Sequence, residues 1–158
     1  MFTELEKSYI AGFLDGDGCI MFQLVRRKDY VFGYQVRASV VFYQKEIHRS
    51  HLEWIKQKFQ QGYIRNRKDG MSEYTIVGIK SVQKVLSDLG PHLRLKKAHV
   101  ELSRRIFEII PKRFTPNQLV AVGKLVDKFK DLNYSKRRKN TSEVLEHFFE
   151  QSASHVSP

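Results

Sequence analysis

The stretch Tyr9-Ile10-Ala11-Gly12-Phe13-Leu14-Asp15-Gly16-Asp17-Gly18 constrains this chain more than any other. It reads as an apolar helix rich in small residues that ends on two carboxylates and two glycines. A glycine inside a helix costs about 1 kcal/mol against alanine, so Gly12 needs a reason that a plain core helix does not provide. Ser8, Ala11, Gly12, Asp15 and Gly16 recur at spacings of three and four, which sets them on one side of the helix and leaves that side nearly free of bulk. Leu5, Tyr9, Phe13 and Leu14 are expected to face a core. A flat helix face admits a second backbone at very short range, and the simplest partner is the same helix of a second copy. Two-fold symmetry then brings Asp15 and Asp17 beside their own mates, and carboxylates gathered without bases call for a cation. A calcium loop does not fit: Cys19 and Met21 stand at ligand positions, and Arg26 stands where the closing glutamate belongs.

The rest of the chain supplies a consistent order of elements. Glu4 to Asp15 forms the first helix, with Gly16 and Gly18 expected to turn it into a strand. Ile20, Phe22 and Leu24 then alternate with Met21, Gln23, Val25 and Arg27. After Gly33, Tyr34, Val36, Ala38, Val40 and Phe42 define a core face, against Gln35, Arg37, Ser39 and Val41 on the other. A helix follows from Glu46 to Phe59, closed by Gly62. Tyr63 to Arg67 and Glu73 to Val77 make a second hairpin about Lys68-Asp69-Gly70, with Ile64 on one face and Arg65 and Arg67 on the other. Ser81 to Leu89 is a short helix. Lys97 to Ile110, a segment opened by Thr115 and Pro116 and running through Phe129, and a last segment from Thr141 or Ser142 that buries Val144, Leu145, Phe148 and Phe149 are helical in pattern. From Gln151 the polar tail is expected to be loose.

Charge narrows the partner. Lys plus Arg number 28 against 17 Asp plus Glu, a formal net charge of +11 over 158 residues. Such a balance suits an anionic partner, and nucleic acid is the commonest for a compact basic protein. No run is long or apolar enough to span a bilayer, and the first residues lack a secretion pattern. The protein is therefore expected to act where it is made, without a membrane. The lone cysteine, Cys19, excludes an internal disulfide and a Cys/His zinc framework, and reads as a small apolar residue.

Ile10 to Gly18 resembles the LAGLIDADG motif of homing endonucleases, with apolar substitutions at Ile10, Phe13 and Leu14 and Gly16 in place of alanine. The order αββαββα is also that of the family, and the likeness extends over essentially the whole length. One motif and no internal repeat match the group of single-motif chains that dimerise, the algal organellar and archaeal intron-encoded type. The resemblance implies an α+β fold: an αββαββα core with a curved four-stranded antiparallel sheet forming a DNA-binding saddle, plus C-terminal helices. It implies a single endonuclease domain over 1–151 with a tail at 152–158. An organelle (chloroplast or mitochondrion) or an archaeal or bacterial cytoplasm would be its setting.

The same resemblance implies functional residues. Asp17 would bind Mg²⁺ with the carbonyl of Gly16, Mn²⁺ substituting and Ca²⁺ supporting binding without cleavage; no small-molecule cofactor is implied. Gln44 would order metal-bound water, and Lys96 would face the phosphate. Where relatives carry an arginine four residues after that glutamine, this chain has His48, with Arg49 beside it, and either can fill the basic position. Ser8, Ala11, Gly12 and Asp15 would form the dimer interface, Asp15 with an open role in capping or orienting helix ends. Gln23, Val25, Arg27, Gln35, Arg37, Ser39, Val41, Arg65, Arg67, Glu73 and Thr75 would read bases in the major groove. Arginine there pairs with guanine, glutamine with adenine and glutamate with cytosine. Lys136, Arg137, Arg138 and Lys139 would grip backbone phosphates without sequence choice.

The activity implied is hydrolysis of both strands of a long pseudo-palindromic duplex by a homodimer, leaving 3′ overhangs and promoting intron mobility. Two other readings stay open on the sequence. One keeps the fold as an RNA-splicing maturase or a non-cleaving DNA-binding regulator. The other is a basic scaffold that binds polyanions without sequence preference or metal dependence.

Overall fold

The computed structural model describes residues 2–135 and 137–155. The order is α1 (Glu4–Asp17), β1 (Gly18–Arg26), β2 (Tyr34–Lys45), α2 (Arg49–Phe59), β3 (Tyr63–Asn66), β4 (Met71–Val77), α3 (Ile79–Leu89), α4 (Lys97–Ile109), α5 (Pro116–Asp127), α6 (Phe129–Leu132) and α7 (Ser142–Ser154). Single 3-10 turns precede α2 and follow α3. The expected αββαββα core is present, and its strands form one four-stranded antiparallel sheet in the order β1-β2-β4-β3. Among the described residues no helix is long and apolar enough to cross a membrane.

Capping and close approach explain where elements stop. Thr3 opens α1 through a capping box with Glu6, and Thr115 opens α5 through one with Gln118, Pro116 occupying the first turn. The first helix does not yield at Gly16; it continues through Asp17 and ends at Gly18, whose backbone is extended. Gly18 is required by crowding, since a Cβ there would sit 2.5 Å from the Leu14 side chain and 2.9 Å from its carbonyl oxygen. The segment expected to be one helix from Thr115 through Phe129 breaks after Asp127 into α5 and α6. The last helix runs to Ser154, so residues 151 to 154 are helical where a loose tail was expected.

The chain falls into two compact units, residues 1–21 with 38–101, and residues 22–37 with 102–158. In the first, α1 buries Ile10, Ala11 and Leu14, while Phe42 of β2 stacks between Phe13 and Tyr74. Strands β2 and β4 pair from Ser39 opposite Val77 to Lys45 opposite Met71, and β3 pairs with β4 from Tyr63 opposite Thr75 to Asn66 opposite Ser72. The apolar face read from the alternation of β2 is the buried one: Tyr34, Val36, Ala38, Val40 and Phe42 are all closed off. In the second unit Phe22 packs on Phe107 and Phe129, and Leu24 meets the Gly123 position from one side as Leu145 does from another. A Cβ on Gly123 would lie 3.2 to 3.4 Å from Leu145, Leu24 and Ser142, so this glycine lets α5 and α7 close together. Of the four residues expected in the core of α7, only Leu145 is fully buried. Val144, Phe148 and Phe149 are half-exposed, Phe148 lying under the Arg26 guanidinium and against Tyr34.

Candidate active site and nucleic-acid interface

The two carboxylates of the motif, two residues apart, have opposite fates. The Asp15 carboxylate is spent inside the chain: Oδ2 accepts from the backbone N–H of Arg94 (2.7 Å) and Leu95 (3.2 Å), and Oδ1 from that of Lys96 (3.0 Å). Those oxygens face the turn before α4, so within the chain Asp15 binds a loop. Asp17 is exposed, and among the described residues its carboxylate has no hydrogen-bond or ion-pair partner. It sits at the negative end of a helix whose last turn carries no basic residue. The carbonyl of Gly16, in that same last turn, is one of the terminal acceptors that helix geometry leaves without a partner.

Lys96 is brought to this junction from the far side of the sequence. Its Nζ donates to the carbonyl oxygen of Asp15 at 2.8 Å. Its charge also lowers the pKa of Cys19, whose thiol burial pushes up by a larger amount. The hydrogen bond sets the ammonium on the last turns of α1. Cys19 is partly buried and in no disulfide, and its thiol donates to the Ile20 carbonyl oxygen at 3.9 Å.

The donors at this junction suit a hard cation. A free carboxylate and a peptide carbonyl are oxygen ligands of the kind magnesium and calcium take, and magnesium needs few of them because it keeps several waters. No group of three His, Cys, Asp or Glu side chains forms a metal cluster among the described residues. One chain therefore offers part of a coordination shell, which fits an ion that also draws on water and substrate.

The remaining expected catalytic groups stand apart. Gln44, half-exposed near the end of β2 opposite Ser72, turns its side-chain oxygen onto the N–H of Lys45 at 2.8 Å. Arg49 is committed elsewhere: Nε pairs with Glu53 at 3.0 Å and Nη1 donates to Asn66 Oδ1 at 2.5 Å, so the guanidinium lines a groove between α2 and β3. His48 is exposed and has no such partner. Asn66 is the residue that sequence reasoning missed. Besides holding Arg49 it accepts from Ser72 Oγ (2.8 Å) and donates to Glu46 (2.8 Å), and only strand pairing brings these groups to it.

The expected base-reading residues divide in the same way. In the second unit Gln23 is exposed, Val25, Gln35 and Arg37 are half-exposed, and Arg27 is held at its turn by both oxygens of Asp29. In the first unit Arg65 and Arg67 are exposed, but Ser39 (2 % exposed), Val41 (4 %) and Thr75 (4 %) are closed off, which corrects the expectation that they offer edges to a groove. Glu73 is also corrected. Its carboxylate is nearly buried, 2.5 Å from Arg65 Nη2 and 4.0 Å from Arg67, so it orients arginines instead of accepting from a base. Tyr43, opposite Glu73 on β2, is a further missed residue; burial is the main cause raising its phenol pKa, with Cys19 and Glu73 adding to it.

The exposed side of α1 differs from the face expected to pair with a second copy. Ala11 is fully buried and leaves it, whereas Leu5 (84 % exposed) and Tyr9 (53 % exposed) point outward, against expectation. Ser8, Gly12 and Gly16 remain exposed, and a Cβ on either glycine would meet nothing within 4 Å. The basic segment before α7 also splits. Arg138 is turned inward, donating to the carbonyl oxygen of Phe22 at 3.0 Å, and burial lowers its pKa against the pull of Asp127. It is a clasp within the second unit, not a phosphate grip. Arg137 and Lys139 are exposed, and Lys136 lies outside the described residues.

The motif, the sheet and the junction define a class. The LAGLIDADG endonuclease family pattern matches residues 10–101, and the chain belongs to that family. It is 38% identical over 135 residues to the DNA endonuclease I-CvuI of Chlorella vulgaris, covering 85% of this chain and 84% of that protein. It is 35% identical over 138 residues to the DNA endonuclease I-CreI of Chlamydomonas reinhardtii, covering 87% and 84%. The crystal structure of I-CvuI in complex with its target in 2 mM Ca superimposes with a TM-score of 0.89 and 36% identity, over 94% of this chain and 95% of that one. I-CvuI has also been solved on the I-CreI target in 2 mM Mg with the DNA not cleaved, again with a TM-score of 0.89.

Proposed function

We propose that this chain is a homing endonuclease that binds a long pseudo-palindromic duplex as a homodimer and hydrolyses both strands with magnesium, leaving 3′ overhangs and so promoting intron mobility. The observation that carries the reading is the end of α1, where Asp17, a carboxylate without a partner among the described residues, shares a helix terminus with the pinned amine of Lys96. Kinship with two DNA endonucleases at 35–38% identity supports the substrate class.

Asp17 and the Gly16 carbonyl would hold the metal. When bound, a divalent ion neutralises phosphate charge and acidifies its water. Lys96 stabilises charge that develops on the phosphate, and a charge fixed in advance costs no reorganisation when the reaction occurs. His48, exposed and uncommitted, supplies the basic group at the position where Arg49 has been drawn away. Gln44 needs only a side-chain rotation from Lys45 to accept from or donate to a water. Two copies meet through the open face of α1, and Arg37, Arg65, Gln23 and Gln35 read bases while Arg137 and Lys139 contact phosphates.

The test is cleavage of a randomised duplex library with Mg²⁺, run beside Asp17→Asn, with binding followed in Ca²⁺. Staggered cuts at one long pseudo-palindromic site, abolished in the variant while binding survives, are expected. Selective binding without cutting would instead make the chain a regulator or maturase, and equal binding to every duplex would leave a basic scaffold.

A further inference from the structure

We infer that Asp15 is the positioning residue for Lys96, an inference that rests on the endonuclease reading above. Asp15 grips this lysine at both ends. Its carboxylate takes the N–H of Lys96 together with those of the two residues before it, and its own carbonyl oxygen takes the Lys96 ammonium. Three successive N–H groups converging on one anion are a backbone nest, and hydrogen bonds to an ionised acceptor are short and strong. The turn before this loop is tied to α1 separately, His92 meeting Ser8 Oγ at 3.1 Å and Glu4 at 3.3 Å. Leu93 is buried just before it, but Arg94 and Leu95 are exposed, so the path from Leu93 into α4 is set by the carboxylate.

The geometry matters because a lysine is a point charge on four rotatable bonds. Held only at its Cα, it would sample a wide volume over the α1–β1 junction. Held only at its amine, it would drag a loose loop with it. With both ends fixed by a residue two positions before Asp17, the ammonium is confined to the end of α1 that carries that carboxylate. The acidic character of Asp15 is then explained without metal or subunit contacts, since its oxygens are already occupied by three donors.

The experiment uses the full chain in two states. In metal-free protein, amide exchange at Arg94, Leu95 and Lys96 is expected to speed up in Asp15→Ala, while the α1 core amides of Ile10 and Leu14 stay protected. Asp15→Asn, which retains one acceptor oxygen, should fall between. On a duplex that the unaltered protein cuts, Asp15→Ala should cleave up to about 100-fold more slowly at saturation, the cost of a small misplacement, with Ca²⁺-supported DNA affinity unchanged. The double variant Asp15→Ala with Lys96→Met should be no slower than Lys96→Met alone, because the aspartate acts through the lysine. Unchanged exchange, undiminished cleavage, or multiplying effects in the double variant would each overturn the inference. Failure of the unaltered protein to cut any duplex would sink the endonuclease reading, while the exchange comparison still decides whether Asp15 pins the loop.

Discussion

At the scale of single residues, what matters is which polar groups the fold leaves free. Asp15 and Asp17 are chemically identical and two positions apart, yet one is saturated by backbone donors and the other has none. Arg65 and Glu73 show the same logic: both were expected to meet bases, and the glutamate is instead occupied by the arginine. Glycines are decided by space as much as by backbone. Gly62 has φ +80, and a Cβ there would lie 2.4 Å from the Thr75 carbonyl oxygen and 2.9 Å from the Tyr74 ring. Gly62→Ala is therefore expected to destabilise the chain by about 1–3 kcal/mol, measured by urea unfolding; a change under a few tenths would contradict the crowding. Asp17 could be singled out in the sequence because it is the last acidic residue of a family motif. The roles of Asp15, Asn66 and Glu73 could not, because their partners are distant in sequence.

At the scale of elements, periodicity carried most of the reading. The alternation of β2 placed its core face correctly, since strand side chains must point to opposite sides. It failed for the second face, where Ser39 and Val41 are covered as well. Alternation says which side a residue is on, but what covers that side is a tertiary matter. The basic segment before α7 invites a separate prediction. Lys139→Ala should lower the slope of log K against log salt by about 0.9, as expected of a phosphate contact. Arg138→Ala should leave the slope alone and instead cost about 1–3 kcal/mol of stability, because a charge-assisted bond to the Phe22 carbonyl is lost. A fall in slope for Arg138→Ala, with stability intact, would return that arginine to the DNA. Four adjacent basic residues look alike in sequence; the hydrogen bond to β1 tells Arg138 from its neighbours.

At the scale of the whole molecule, the open face of α1 is the surface proposed to carry assembly. Gly12 has no intrachain contact for a side chain to disturb. Gly12→Leu should therefore raise the stability of the isolated chain by about 0.5–1 kcal/mol through helix propensity, yet leave a particle near the 18.6 kDa of one chain in light scattering. A variant that stays dimeric would remove this face from the interface. The amino-acid sequence by itself determined the element order, the helix with its small-residue side, the basic charge and the family, because hydrophobic period, helix cost and motif are local quantities. Only the tertiary structure decided which of two aspartates is free, which of two neighbours, His48 or Arg49, is uncommitted, and which arginine is a clasp. Those outcomes depend on donors and acceptors as far as 116 residues apart, and a polar group's partner is settled only when folding closes the loop between them.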